Sequence, residues 1–153
     1  MGNGSVISPV DVKRMRAVTC LTHSEYNHSQ SNTLRFLQIW VLPEERGLEP
    51  GYEQKFFGDE RRGKLRLVAS PNGAEGSVQI AQDAKMYASV LADGERVVHT
   101  LTVGRHAWLQ VVRGNVTVNG VELAEGDGVS FDETTAISVT SAGESELILL
   151  DLA

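Results

Sequence analysis

The chain has 153 residues, of which 41% are apolar and 22% charged, with a formal net charge of −6 and a pI near 5.2. This length and composition describe about one globular domain that can bury a core. The acidic balance argues against nucleic acid as a partner, and no apolar run approaches the roughly 18 residues that span a bilayer. A single cysteine, Cys20, cannot form an internal disulfide, which predicts a cytoplasmic protein.

The first chemically informative run is His-Ser-Glu-Tyr-Asn at positions 23–27, which follows a β-favouring segment at 17–22. In an extended strand side chains alternate, so His23 and Glu25 would share one face. An imidazole and a carboxylate placed in this way suit iron, manganese, zinc or nickel, and they leave positions open for substrate or oxygen. The same run is also typical of an exposed polar strand end, because an HxE pair is a weak signal by itself.

A second apolar stretch at 34–42 predicts a strand that is buried on both faces. Pro43 ends it, and the run Glu-Glu-Arg-Gly-Leu-Glu-Pro-Gly at 44–51 is the most linker-like part of the chain. We therefore predict a domain boundary there, with an N-terminal piece at 1–45 and a main domain at 52–153.

From residue 52 onward, short β-favouring segments alternate with turn signals and no helical period is evident. Asp93-Gly94 and Asn119-Gly120 predict hairpins, and Gly114-Asn115 predicts a further turn. Many short strands with such turns are typical of a β-sandwich or barrel. The predicted core comprises Leu65, Leu67, Val78, Ile80, Tyr87, Val90, Val98, Leu101, Trp108, Val111, Val116, Val118, Phe131, Ile137 and Ile148.

The run HSEYN, followed by QIWVLPEERGLEPGYEQKFF, resembles the pirin family of bicupin proteins, in patches along the chain. The later run GNVTVNG, followed by EGDG, is similar to a cupin. The resemblance implies an all-β fold, with a cupin-type double-stranded β-helix (a jelly-roll barrel) at 52–153. It also implies that residues 1–45 are the remnant of a second, N-terminal cupin. Another kind of jelly roll would give the same strand rhythm.

In that family the histidine and glutamate of HSEYN are two of four ligands to one metal, usually iron. The resemblance therefore implies metal ligands at His23 and Glu25. The other two family ligands are histidines of an upstream HxH motif, which this sequence does not contain. His28 is a candidate third ligand, but it would need a sharp return of the loop. Cys20 stands where the family has a glycine at the barrel mouth, and its side chain would obstruct the close backbone approach.

The main domain is predicted to hold no metal. His99 and His106 are separated by a turn and form no HxH, and Val129 stands where the second cupin motif would place its histidine. The resemblance implies the same, because this barrel is usually metal-free in pirins. We interpret His99 as a hydrogen-bonded residue of the barrel wall.

Two functions fit these observations. The one we favour is a shortened, catalytically silent pirin relative that binds a small molecule or a protein partner, with no catalytic residue and no cofactor. The alternative, implied by the resemblance, is a quercetin 2,3-dioxygenase-like oxidoreductase with iron or another divalent metal held weakly by His23 and Glu25. Cys20 and His23 fall on opposite faces of one predicted strand, which argues against a nucleophile and base pair.

The N-terminal piece also predicts self-association. A two-strand piece cannot cover all of the apolar side chains at 34–42, and exposed apolar edges recruit other chains. We therefore expect a twofold homodimer through residues 1–43, with an interface above roughly 1,000 Å². No nucleic-acid or membrane partner is expected.

Overall fold

The computed structural model describes residues 6–16 and 23–153. The prediction of an all-β protein is confirmed, because the only helices in the described residues are two short 3-10 turns, Gly58–Arg61 and Ala74–Gly76. No helix in this part of the chain is long and apolar enough to cross a bilayer. The strands are β1 (Asp11–Arg16), β2 (Gly51–Phe56), β3 (Arg66–Ser70), β4 (Val78–Gln79), β5 (Ala84–Leu91), β6 (Arg96–Thr100), β7 (His106–Val118), β8 (Val121–Ala124), β9 (Gly128–Phe131) and β10 (Ala136–Leu152).

Eight strands form one sheet built on β7 and β10, which run antiparallel side by side. The other edge of β10 pairs with β6 along its first half and with β5 along its second half. The other edge of β7 pairs with β9 and then with β8. The sheet therefore has two halves that share its two longest strands. The larger of two apolar cores draws side chains from both halves.

The two long strands bend where the halves meet. Gly114 adopts a φ of +79°, and the register of β10 against β7 shifts between Ala142 and Glu146. A Cβ at Gly114 would collide with the carbonyl oxygen of Glu144, so this position needs glycine for both its φ and its close approach. The predicted turn at Gly114-Asn115 is therefore wrong, because the glycine bends a continuous strand instead of ending it.

The predicted hairpin at Asp93-Gly94 is also wrong. A turn does occur there, but β5 and β6 do not pair with each other. They follow one another along the same edge of β10, β5 opposite residues 145–152 and β6 opposite residues 136–140. The turn carries the chain past the bend of β10. The Asn119-Gly120 hairpin is confirmed, since both residues have positive φ and β8 pairs back onto β7.

The predicted core is confirmed in part. Eight of the predicted residues are buried: Leu67, Val78, Leu101, Val111, Val116, Val118, Phe131 and Ile137. Val98 and Trp108 are wrong, with exposed fractions of 52% and 40%, and Val90 and Ile148 are only half-buried. Side chains alternate along a strand, so Leu109 and Leu149 point inward in place of their neighbours Trp108 and Ile148.

A second, smaller core lies on the outside of the sheet. It contains Phe57, Val68 and Val78, and Val12 of β1 packs against it. There β1 and β2 pair antiparallel into a two-stranded ribbon, from Asp11 opposite Phe56 to Arg16 opposite Gly51. We call this pair the β1–β2 ribbon. It joins the predicted N-terminal piece to the start of the predicted main domain, and the division of the chain at 45–52 stays a prediction.

The predicted strand at 34–42 is wrong, since no strand occurs between residues 23 and 50. Within the described residues, 34–42 makes no backbone–backbone hydrogen bond. The first such bond after it is donated by the Glu44 N–H to the carbonyl of Ala81. The apolar pattern is present, but no described strand pairs with this stretch to form a ladder. The predicted β-segment at 17–22 lies outside the described residues.

Candidate functional site

The HSEYN run lies on the surface in irregular chain. His23 and Glu25 are both exposed, and so is His28. Just after them, the Asn27 amide donates to the carbonyl of Asn32 at 2.7 Å and accepts from the Ser29 N–H at 3.0 Å. This pair of bonds closes a local turn, which fixes the direction in which the chain leaves the histidine and the glutamate.

A metal centre is not complete in the residues that the structure describes. Within 6–16 and 23–153, no group of three or more His, Cys, Asp or Glu side chains is arranged to hold a metal ion. A catalytic metal site usually has about three protein ligands, so a metal bound by His23 and Glu25 would need further donors. Cys20 lies outside the described residues. The assignment of His23 and Glu25 as ligands stays a prediction.

Next to this run lies a large exposed apolar surface. We call residues 34–42 the apolar segment. Trp40 is 88% exposed and Leu42 83% exposed, and apolar side chains exposed to this degree are unusual when they occur together. Other members with at least two fifths of their surface exposed are Leu34, Phe36, Leu37, Ile39 and Val41.

Polar contacts hold the apolar segment against the barrel. Arg35 pairs with Glu125 of the β8–β9 turn at 2.6 Å, and both side chains are well exposed. The Gln82 amide donates to the carbonyl of Leu42 at 2.9 Å. An exposed ion pair contributes little to stability, so these contacts position the segment without burying it.

The main barrel contains a polar cluster of which only one member, His99, was predicted. Asp151 is 4% exposed and points to the same side of β10 as the core residues Leu147 and Leu149. Its carboxylate accepts a hydrogen bond from His99 Nε2 at 2.9 Å and another from Arg105 Nε. The interpretation of His99 as a hydrogen-bonded wall residue is confirmed. The signal in the sequence was an aspartate at an inward position of an apolar strand.

Arg105 is the centre of this cluster. Besides Asp151, its Nη1 donates to both carboxylate oxygens of Asp83 at 3.0 and 3.1 Å, and its Nη2 donates to the backbone carbonyls of Asp83 and Asp151. The bond to Asp151 raises the pKa of the Arg105 guanidinium above its ordinary value. Every guanidinium nitrogen therefore has an acceptor, and we interpret the cluster as a clasp that joins the β6–β7 turn to the end of β10.

Tyr87 and a cleft complete the surroundings of the clasp. The Tyr87 ring centroid lies 4.9 Å from that of His99, and burial, followed by the negative charge of Asp151, raises the pKa of the Tyr87 hydroxyl. A cleft of about 300 Å³ also borders Arg105, between the loops at 101–105 and 132–135. That volume is at the lower end of ligand pockets.

Two family models match separate parts of the chain. Residues 67–152 match the family model described as the quercetinase C-terminal cupin domain, and residues 1–41 match the model described as pirin. The chain belongs to the pirin family of cupin proteins. The family suspected from the HSEYN run and the cupin-type fold are therefore both confirmed.

Several relatives carry the name quercetin 2,3-dioxygenase. The protein of that name from Escherichia coli K12 is 41% identical over 152 residues, which cover 99% of this chain and 65% of that protein. A putative quercetin 2,3-dioxygenase of Pseudomonas aeruginosa is 34% identical over 155 residues, covering 100% of this chain and 66% of that protein. The chain thus spans about two thirds of the length of these relatives.

Solved pirin structures share the fold. YhhW from Escherichia coli superimposes with a TM-score of 0.71 at 39% identity, over 74% of this chain and 48% of that one. A structure of bacterial pirin YhhW in complex with nickel(II) gives a TM-score of 0.69 at 41% identity, with the same coverage. Metal binding is thus attested for that protein.

Proposed function

We propose that this chain is a catalytically silent, pirin-type protein that binds a small molecule or a protein partner. We further propose that it forms a twofold homodimer through residues 1–43. The observation that carries the proposal is the exposure of the apolar segment, above all Trp40 and Leu42. Large exposed apolar patches mark interaction sites, and Phe36 and Trp40 are of the residue types enriched in protein–protein interfaces. The cleft beside Arg105, by contrast, carries the acidic Asp132 and Glu133 in its lining.

A second copy fits this surface better than a partner of different chemistry. The apolar segment contains one charged residue, Arg35, and its charge is matched within the chain by Glu125. A surface without free charge needs no complementary charge on its partner, so it can face itself across a twofold axis. Two extended segments that meet in this way could also pair their backbone N–H and C=O groups as antiparallel strands.

Sedimentation of the purified protein at micromolar concentration tests the dimer. We expect a species of twice 16.6 kDa that Trp40→Ser converts to a single chain, because the substitution removes the most exposed aromatic side chain of the segment. Trp108→Ser is the matched control, since Trp108 is the only other tryptophan and lies on the outside of β7. A clean 16.6 kDa species that is unchanged by Trp40→Ser would contradict the proposal.

The alternative function is a metal-dependent dioxygenase of the quercetinase type. It is supported by the HxE spacing of His23 and Glu25 on an exposed run, by relatives named quercetin 2,3-dioxygenase, and by the nickel complex of a related pirin. Further ligands would have to come from residues that the structure does not describe or from a second chain. A twofold dimer through residues 1–43 offers one source, since it could bring the same two side chains of a second copy nearby.

Elemental analysis separates the two functions. For the silent protein we expect no stoichiometric metal and no turnover of a flavonol such as quercetin. About one iron, nickel or zinc per chain, or per dimer, that is lost in His23→Ala and retained in His106→Ala would support the dioxygenase. His106 is a suitable control because it lies in the main barrel and pairs with Asp132 at 3.2 Å.

A further inference from the structure

The inner face of the β1–β2 ribbon carries a row of charged side chains that the proposed function does not use. Strand alternation and pairing place Arg14 opposite Glu53 and Arg16 opposite Gly51 on one face. This face is turned toward the edge of the main sheet, because Lys55 donates to the carbonyl of Ser77 at 2.7 Å.

Arg14 has hydrogen-bonding capacity that the described residues leave unused. Its Nε and Nη1 atoms are buried and have no partner in the described part of the chain. Its Nη2 makes a long contact with Glu53 Oε2 at 3.4 Å. Buried polar groups are nearly always hydrogen-bonded in native proteins, and an unmet charged donor is costlier than a neutral one. Such a guanidinium calls for an acceptor.

A second guanidinium converges on the same place. A Cβ added to Gly51 would lie 2.8 Å from Arg14 Nη1 and 3.2 Å from Arg16 Nη2, so both groups lie directly over this glycine. Arg16 is held there by a 2.6 Å bond from its Nε to the carbonyl of Glu49. The absence of a side chain at Gly51 is what allows the two arginines to come together over the backbone.

The local charges are not balanced. Glu53 is the one carboxylate that forms an ion pair with Arg14 in the described residues, and it is shared with Lys55 at 2.8 Å. The Glu53 carboxylate also accepts a hydrogen bond from the backbone N–H of Gln79, with an N to Oε2 distance of 3.0 Å. Hydrogen bonds from Lys55 and then from Gln79 lower the pKa of Glu53, so it is ionised and already engaged. The three cations Arg14, Arg16 and Lys55 therefore have one carboxylate among them, that of Glu53.

We propose that Arg14 and Arg16 form a binding site for an oxyanion over Gly51, of the carboxylate or phosphate class. Paired guanidinium groups present planar forks of N–H donors that match these anions, and the charge-assisted bonds are stronger than neutral ones. Because Nε and Nη1 of Arg14 are buried, its guanidinium has to turn outward for these donors to reach a bound oxyanion, whose charge would offset the repulsion between the two arginines.

Other buried arginines do not share these features. Arg61 also has an unpartnered Nε, but its Nη1 pairs with Glu146 at 2.6 Å. The adjacent Arg62 is paired with Asp59, and Glu144 and Glu95 add negative charge around it. Arg105 has an acceptor on every nitrogen. Only the Arg14 and Arg16 pair combines unmet donors with an excess of positive charge in the described residues.

The test is titration of the intact chain with sodium phosphate and, separately, with sodium acetate, each against sodium chloride at equal ionic strength. Binding is measured by calorimetry and by the NMR shift of the Gly51 amide. We expect saturable binding of at least one oxyanion that chloride does not reproduce. Stronger binding of phosphate would indicate a phosphorylated ligand, and stronger binding of acetate a carboxylated one.

Substitutions locate the site. We expect Arg14→Gln to weaken binding at least tenfold and Arg14→Lys, which keeps the charge but loses the fork, to weaken it several-fold. Gly51→Ala should also weaken it tenfold without a change of charge, since its methyl group would occupy the space under the two guanidiniums. Arg113→Gln, which changes a surface arginine of β7, should leave the binding as in the unaltered chain. Saturable binding that survives both Arg14→Gln and Gly51→Ala, or no difference from chloride in the unaltered chain, would overturn the proposal.

Discussion

The apolar segment and the strand β10 are both rich in large apolar residues, yet only one of them is buried. In β10, Ile137, Val139, Leu147 and Leu149 are at most 1% exposed, whereas Trp40 and Leu42 are more than 80% exposed. The difference lies in backbone partners. β10 has a paired strand on each edge, and the apolar segment has none in the described residues. Apolar content therefore shows a tendency to be buried, and neighbouring strands decide whether burial takes place.

The first and largest test of this comparison is a pair of leucine truncations. Leu149→Ala should lower the free energy of unfolding by about 3 kcal/mol, because it leaves a cavity in a closely packed core. Leu42→Ala should change it by less than about 0.5 kcal/mol in a single chain, since Leu42 is 83% exposed. Urea denaturation measures both values, at a concentration where sedimentation shows one species.

A large loss in Leu42→Ala would contradict the comparison and would mean that the segment is buried in solution. The same measurement at higher protein concentration then becomes informative. A loss that grows with concentration would place Leu42 in the dimer interface, because association stabilises the folded chain by mass action.

The second test concerns the clasp inside the barrel. Arg105→Ala should destabilise the protein by about 2 kcal/mol, since it removes the charge-assisted partner of the buried Asp151 carboxylate. Asp83→Asn should cost less, because the Asp83 side chain is 54% exposed. Chemical denaturation of the two variants gives the comparison. Equal losses would show that the clasp acts through its surface pair and not through Asp151.

These residues also show what the sequence could predict. The strand rhythm is enough to predict an all-β core, and Val111 and Ile137 lie in it as predicted, but the predicted core residues Trp108 and Ile148 of the same two strands do not. The sequence indicates an inward position for Asp151 and a hydrogen bond for His99, but it does not predict that the two pair, because they are 52 positions apart and pairing at that range is set by sheet topology. The exposure of the apolar segment was not predictable either. Periodicity indicates which side chains share a face of a strand, but it does not show whether another strand pairs with it.

The smallest expected effect concerns the attachment of the β1–β2 ribbon to the barrel. Glu53 of the ribbon accepts a hydrogen bond from the Gln79 N–H of β4 at 3.0 Å, next to its ion pair with Lys55. Glu53→Gln should lower the free energy of unfolding by about 1 kcal/mol at neutral pH, because a charged acceptor is replaced by a neutral one.

The pKa of Glu53 is lowered in the folded chain from its ordinary value of 4.5. A lowered carboxyl pKa contributes stability that is fully present above pH 4.5 and is lost as the pH falls through the folded value. The difference between the two proteins should therefore be constant above about pH 6 and disappear in acid, as measured by urea denaturation across pH. A difference that persists unchanged in acid would show that the side-chain amide disturbs packing, and that the charge of Glu53 does not hold the ribbon in place.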